Sequence, residues 1–265
     1  KTDERIATPV GMEAAYLLYR LFGKRVFDFI ALAVADIVWF FDPVSRRAAG
    51  TRKRIENFAR SLVDKIAVLS LGKGQPKVVF DESGDAADFI GDISAKRGAV
   101  VISSHLGCIE TLAAYGECPV KFHVFMSLSQ TSVFRAVRDR HFRRSMIEVH
   151  ATEGFGMAEL FLASAIVEKG DVVLMAGDRG GGRVRTVAFA GAEHRFPEGA
   201  FRLARHLERN VYFAAAVLED GGYRVFVKRL PVEDMFGAYV RVLEDLVKKY
   251  PDQWYQWEGE SAENG

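Results

Sequence analysis

The chain has 265 residues, of which 49% are hydrophobic and 27% charged, and its formal net charge is +1. That length holds one large α/β domain or two small ones, and the composition is that of a folded globular protein. A charge so close to neutral offers no global field to recruit nucleic acid, and two cysteines, Cys108 and Cys118, cannot make a zinc site alone. A helix carrying both would hold them too far apart for a disulfide, so a reducing compartment is expected. No signal peptide is expected after Lys1, although a trimmed leader would leave the same start.

Residues 12–41 are rich in apolar and aromatic side chains, but Arg20, Lys24, Arg25, Asp28 and Asp36 interrupt them before any run is long enough to span a membrane. Two amphipathic helices broken near Gly23 fit better. Arg20, Lys24 and Arg25 beside Tyr16, Tyr19, Phe22 and Phe27 suit an interfacial anchor, and an ordinary helical hairpin packed on the core is the alternative. Asp42-Pro43 reads as a helix start. From Ser45 to Leu71, apolar residues recur at helical spacing opposite the basic run Arg46, Arg47, Arg52, Lys53 and Arg54, a solvated face that could also meet anionic head groups.

Beyond the turn at residues 72–76, strands and helices alternate. Strands are expected over Val78–Phe80, Ala99–Ile102, Phe122–Met126, Met146–Val149, Asp171–Ala176 and, briefly, Thr186–Phe189. Helices are expected from Ser83 (a cap) to Lys96, from Gly107 to Ala114, over the arginine-rich Gln130–Phe142, over Phe155–Glu168, from the Phe196-Pro197-Glu198-Gly199 start to Leu207, and over Val232–Tyr250. Val211–Leu218 and Tyr223–Leu230 pair as a hairpin across Asp220-Gly221-Gly222. Such alternation predicts an α/β fold, a mostly parallel central sheet flanked by helices on both faces, with an N-terminal helical hairpin. The expected organisation is a helical extension at residues 1–71, an α/β core at 72–256 and a loose acidic tail at 257–265.

Chemistry is expected where the apolar run Val100–Ile102 ends in Ser103-Ser104-His105, at the carboxyl end of a buried strand. A neutral imidazole takes a proton near pH 7, and a nearby carboxylate can fix its tautomer. Glu110 follows five positions later and reaches His105 only if His105 precedes the first helical turn. Taken alone, the pair reads first as a surface histidine and a helix-surface glutamate. Asp178-Arg179, in the loop after the 171–176 strand, could hold a substrate, with Arg179 gripping a phosphate or an oxyanion. His123 reads as a packing residue, and His141, His150, His194 and His206 are scattered without metal-ligand spacing, so no metal is expected. No nucleophile elbow or dinucleotide-binding glycine motif is present.

Four features in order give the chain its resemblance: the aromatic and basic N-terminal hairpin; His105–Glu110 as an H-x4-(D/E) motif after a strand; Gly170-Asp171-Val172 through Asp178-Arg179-Gly180; and Tyr250-Pro251-Asp252-Gln253-Trp254-Tyr255. The chain resembles the lysophospholipid acyltransferase superfamily, in particular its bacterial lipid A biosynthesis (lauroyl/myristoyl) branch. The resemblance implies a glycerolipid acyltransferase-like fold. It implies an O-acyltransferase that moves a fatty acyl group from an acyl-carrier-protein or acyl-CoA thioester to a hydroxyl of a lipid or glycolipid acceptor. His105 would be the general base, oriented by Glu110, with no metal and no cofactor besides the thioester co-substrate. Ser104, Gly107, Asp178, Arg179, Glu198 and Gly199 are the matching substrate-binding candidates, and a further arginine falls at Arg143 or Arg144. By chain order Asp178-Arg179, rather than Phe196-Pro197-Glu198-Gly199, takes the phosphate-binding place, and Gly199 would then pack close to the sheet. Backbone amides at the Gly107 helix start, or donors near Arg179, would stabilise the oxyanion. The implied partners are acyl carrier protein or CoA thioester and membrane-surface lipids, with no nucleic acid, at the cytoplasmic face of the bacterial inner membrane as a peripheral protein. The same dyad acting on water would make a thioesterase or hydrolase, and the fold without chemistry would make a lipid-binding protein.

Overall fold

The computed structural model describes residues 9–41, 51–69, 75–114, 119–127, 146–152, 154–180 and 182–255. The elements are α1 (Pro9–Phe41), α2 (Thr51–Leu69), β1 (Val78–Phe80), α3 (Gly84–Ser94), β2 (Ala99–Gly107), a 3-10 turn at Ile109–Ala114, β3 (Phe122–Ser127) and β4 (Ile147–Thr152). They continue as α4 (Met157–Glu168), β5 (Val172–Ala176), β6 (Val184–Phe189), β7 (Ala192–Pro197), α5 (Gly199–His206), β8 (Val211–Glu219), β9 (Gly222–Arg229), α6 (Met235–Lys249) and a 3-10 turn at Pro251–Gln253.

Seven strands form one sheet in the order β1-β9-β8-β2-β5-β3-β4, and β6 and β7 form a separate hairpin. Within the large sheet only β8 and β9 run antiparallel. The Asp220-Gly221 turn between them has φ of 50° and 77°, the backbone that a tight hairpin requires. β2 lies at the centre, and Ala99 to Ile102 are fully buried because helices cover both faces. Alternate β2 residues serve opposite faces. Ala99 and Val101 join a core with α2 and α3, while Val100 and Ile102 join one with α4, α5 and α6. Each such buried valine or isoleucine contributes roughly 1.5–3 kcal/mol. Ser83 caps α3 as expected, its hydroxyl accepting from the Ala86 amide at 3.2 Å.

The N-terminal helices share the first of these cores. α1 breaks at Gly23 (φ 76°), the position the sequence marked, and Tyr19 and Phe27 pack edge to face across the break at 6.3 Å. Lys24 Nζ lies 2.9 Å from Asp64 on α2, and the Tyr223 hydroxyl donates to the same carboxylate at 2.9 Å, tying both helices to β9. Among the described residues the opposite side of α1 is exposed: Leu21 is 73% exposed and Phe29 74%, with Leu17, Phe22, Val26 and Ile37 also exposed. Among the described residues no helix is long and apolar enough to cross a membrane.

Three expected elements differ. β2 continues through Ser103 and His105 to Gly107, because β8 pairs with it on both sides of a bulge between Ser103 and Gly107. The helix expected from Gly107 is a short 3-10 turn. Phe196-Pro197, expected to open a helix, instead end β7 (Ala192–Pro197), with Phe196 paired to Arg185. The expected elements at Asp42-Pro43 and Gln130–Phe142, and the acidic tail, lie outside the described residues.

Candidate active site

β2 and β5 are parallel neighbours in register from Ala99↔Val172 to Ser103↔Ala176, and the Gly177 amide extends the pairing by donating to the Ser103 carbonyl at 2.8 Å. The next residue past that pairing is Asp178, which the register brings beside His105 at the carboxyl ends of both strands, the usual place for an α/β site. Asp178 is buried. Its Oδ1 lies 2.9 Å from His105 Nδ1, and its Oδ2 accepts from the His105 backbone amide at 2.8 Å and from the Trp254 indole at 3.1 Å. Burial pushes the Asp178 carboxyl up. The adjacent His105 ring, the His105 amide and the Trp254 indole outweigh it and hold the group below its ordinary value. An ionised carboxylate only accepts, so Nδ1 carries a proton, and in the neutral ring Nε2 then carries the lone pair. The His105 side chain is 34% exposed, and Nε2 has no hydrogen-bond partner among the described residues.

The segment after α6 closes the other side. Leu106 and Trp254 form an antiparallel bridge, and the Tyr255 amide donates to the His105 carbonyl at 2.9 Å. Gln253 anchors the segment through both sides of Leu218, accepting from its amide at 2.7 Å and donating to its carbonyl at 2.9 Å. The β6–β7 hairpin walls in the indole, with Phe189 and His194 at ring distances of 5.0 and 5.3 Å. Burial there pushes the His194 imidazole below its ordinary range. The Tyr239 hydroxyl donates to the Ser103 carbonyl at 3.0 Å, fixing β2 from the α6 side.

The expected hydrogen bond between Glu110 and His105 is not made. Because β2 runs on to Gly107, Glu110 falls in the 3-10 turn beneath α2, where it is paired with Lys65 and lies 3.6 Å from the Cys108 sulfur. Burial pushes the Glu110 carboxyl up, but Lys65 outweighs it and holds the group below its ordinary value. The carboxylate on His105 is Asp178.

The remaining candidates sort by their neighbours. The Ser104 hydroxyl is buried and accepts from the Leu106 amide at 3.4 Å. Gly107 has φ 71° and lies so close to β8 that a Cβ would collide with the Ala216 carbonyl, which also accepts from the Cys108 amide at 2.8 Å. The amides of His105, Leu106 and Cys108 therefore already have acceptors, and no helix start here offers them to an oxyanion. Arg179 donates to the Tyr255 carbonyl, so it braces the C-terminal segment. Glu198 is buried between Arg183 at 2.9 Å and Arg185 at 2.7 Å. Gly199 opens α5 against the Phe155 ring rather than the sheet: a Cβ there would stand 2.7 Å from Phe155 Cδ2. Arg143 and Arg144 lie outside the described residues.

Trp254 is the site residue the sequence reading did not single out. Its one signal was its place in the Tyr250–Tyr255 motif; the acceptor that its buried indole N–H needs, Asp178, lies seventy-six residues away. Away from this site, at the other end of the sheet, His123, Glu148 and His150 converge, although no metal-ligand spacing marks them in the sequence. No protein-family model matches the chain, and a search of curated proteins finds no match.

Proposed function

We propose that the chain is an O-acyltransferase in which His105 Nε2 removes the proton from an acceptor hydroxyl. The hydroxyl oxygen attacks the carbonyl of a fatty acyl thioester, on acyl carrier protein or CoA. The carbon–sulfur bond breaks, and the departing thiolate takes the proton from the imidazolium. Asp178 holds Nδ1–H and stabilises the imidazolium charge, and Trp254 holds Asp178. The observation that carries this reading is the buried Asp178 carboxylate 2.9 Å from His105 Nδ1, with the opposite ring nitrogen turned outward at the carboxyl edge of the sheet. The glycerolipid acyltransferase-like character of the fold and the family rest on the ordered motifs of the sequence. The reading gives Glu110 a structural part and moves the orienting part to Asp178.

The acceptor is a hydroxylated lipid or glycolipid reached from a membrane surface, and the protein is peripheral at the cytoplasmic face of a bacterial inner membrane. The support is the apolar side of α1 that is exposed among the described residues, with Arg20 and Arg25 also exposed, a pattern suited to an interface between lipid and water.

One assay tests both parts. The full chain is mixed with an acyl thioester, a lipid hydroxyl acceptor and anionic vesicles, and the products are separated. Acylated acceptor together with free thiol is expected. His105→Ala should slow the reaction roughly 10²- to 10⁴-fold, and Phe22→Glu/Phe29→Glu should release the protein from the vesicles. Free fatty acid without acylated acceptor would instead assign a hydrolase. Lipid binding with unaltered thioester would make the chain a binding protein.

A further inference from the structure

We infer that His123, Glu148 and His150 form a binding site for one divalent transition-metal ion, Zn²⁺ by the chemistry of its donors, which clamps strand β4 to β3. In parallel register His123 faces Glu148 and Phe125 faces His150. Phe122, Val124, Ile147 and Val149 turn to the core under the N-terminal helices. By the alternation of side chains along a strand, His123, Glu148 and His150 share the other face.

The donor atoms already converge. His123 Nδ1 is 2.9 Å from His150 Nε2 and 3.7 Å from a Glu148 oxygen, and one ligand atom from each of the three residues lies within 4.8 Å of the others. Two ligands bound at about 2.1 Å to one ion stand roughly 3.0–3.4 Å apart in tetrahedral or octahedral geometry, and the observed spacings bracket that range. The two imidazole rings are stacked, 5.1 Å apart and 13° from parallel, so a small rotation of either ring opens the pair around an ion.

A separate observation concerns the other nitrogen of His123. Its Nε2 lies 3.4 Å from Asp171 Oδ2, and Asp171 is fixed by accepting from the Lys121 amide at 2.9 Å. That is the carboxylate–histidine arrangement that leaves Nδ1 with its lone pair towards a metal. Lys121 Nζ is paired with Oε1 of Glu148, whereas the oxygen nearer His123 is Oε2. Two imidazoles and one carboxylate suit Zn²⁺, with water completing the coordination.

His123 and Glu148 are each the second residue of their strands, at the amino ends, whereas His105 lies near the carboxyl end of β2. The ion would thus stand apart from acyl transfer. β4 closes one edge of the sheet, with β3 as its one neighbouring strand among the described residues, so an ion bridging them stabilises an edge strand.

The test uses the full, untagged chain, stripped with chelator and titrated with Zn²⁺ by calorimetry, alongside thermal unfolding with and without the metal. One ion per chain and a higher unfolding midpoint are expected. His123→Asn/His150→Gln should weaken binding at least about 100-fold, and Asp171→Asn roughly 10- to 100-fold, as loss of a supporting carboxylate does. His105→Ala should leave binding unchanged. Zinc-edge X-ray absorption of the wild-type complex should give two imidazole ligands, a readout that holds even if a variant misfolds. The absence of saturable binding, equal binding by the double variant, or a spectrum without imidazole would overturn the assignment.

Discussion

Asp178 and Glu110 are both acidic side chains close to the end of β2, and their surroundings differ in kind. Asp178 is buried and, among the described residues, accepts from the His105 amide and the Trp254 indole and lies against the His105 ring. Glu110 faces Lys65, a fixed cation on α2, with side chains 22% and 27% exposed respectively. The first arrangement couples a carboxylate to an imidazole with an outward nitrogen, and the second fastens a turn to a helix. Proximity along the chain favoured Glu110, five residues from His105, over Asp178, seventy-three away. The carboxylate beside His105 follows the strand register instead.

The largest effect expected from this contrast is on Asp178. Asp178→Asn keeps the shape but removes the charge and allows the wrong tautomer of His105. By analogy with other histidine–carboxylate pairs, acyl transfer should fall roughly 10³- to 10⁴-fold, measured by single-turnover thioester consumption. Loss of less than tenfold would break the contrast. Trp254→Phe should have an intermediate effect: it removes the donor 3.1 Å from Asp178 Oδ2 while keeping a ring against Phe189. The lost bond to a charged acceptor is worth about 1.5–3 kcal/mol, and the rate should fall about tenfold, with the Asp178 carboxyl rising towards its ordinary value.

Glu110→Gln should have the smallest effect on rate, within about threefold on the tenfold-per-1.4 kcal/mol scale, but a clear one on stability. Burial pushes the Lys65 amine down and Glu110 raises it above its ordinary value, so the substitution strands a partly buried cation. About 1–2 kcal/mol of destabilisation is expected, less than for a fully buried pair because both side chains reach solvent; chemical denaturation measures it. The pH dependence has a definite sign. The folded Glu110 carboxyl lies below its ordinary 4.5, so its stabilisation is complete above that value and disappears as pH falls through the lower folded one. Glu110→Gln should flatten that acid limb. An equal acid limb in wild type and variant would contradict the pairing with Lys65.

Much of the fold was legible because its signals are local. The apolar run at Val100–Ile102, the Ser83 cap, the break at Gly23 and the Asp220-Gly221 turn each act within a few residues. What was not legible depends on partners distant in sequence. Ser103-Ser104-His105 reads as a loop by composition, and only pairing with β8 and the Trp254 segment makes it strand. Pro197 disguised β7 as a helix entrance, although its place at the strand end spares the ladder. His123 and His150 are twenty-seven residues apart, and it takes the register of two parallel strands to bring them together. In the site itself His105 was visible as the histidine just past an apolar run, while Asp178 was visible only as a loop residue whose neighbour was unknown.

The central claim, that Asp178 rather than Glu110 fixes His105 with Nε2 outward, is tested most directly by the ¹⁵N chemical shifts of the His105 ring in the wild type, Asp178→Asn and Glu110→Gln. The neutral ring should carry its proton on Nδ1 in the wild type and in Glu110→Gln, and should lose that preference in Asp178→Asn. A tautomer that survives Asp178→Asn and shifts in Glu110→Gln would contradict the account.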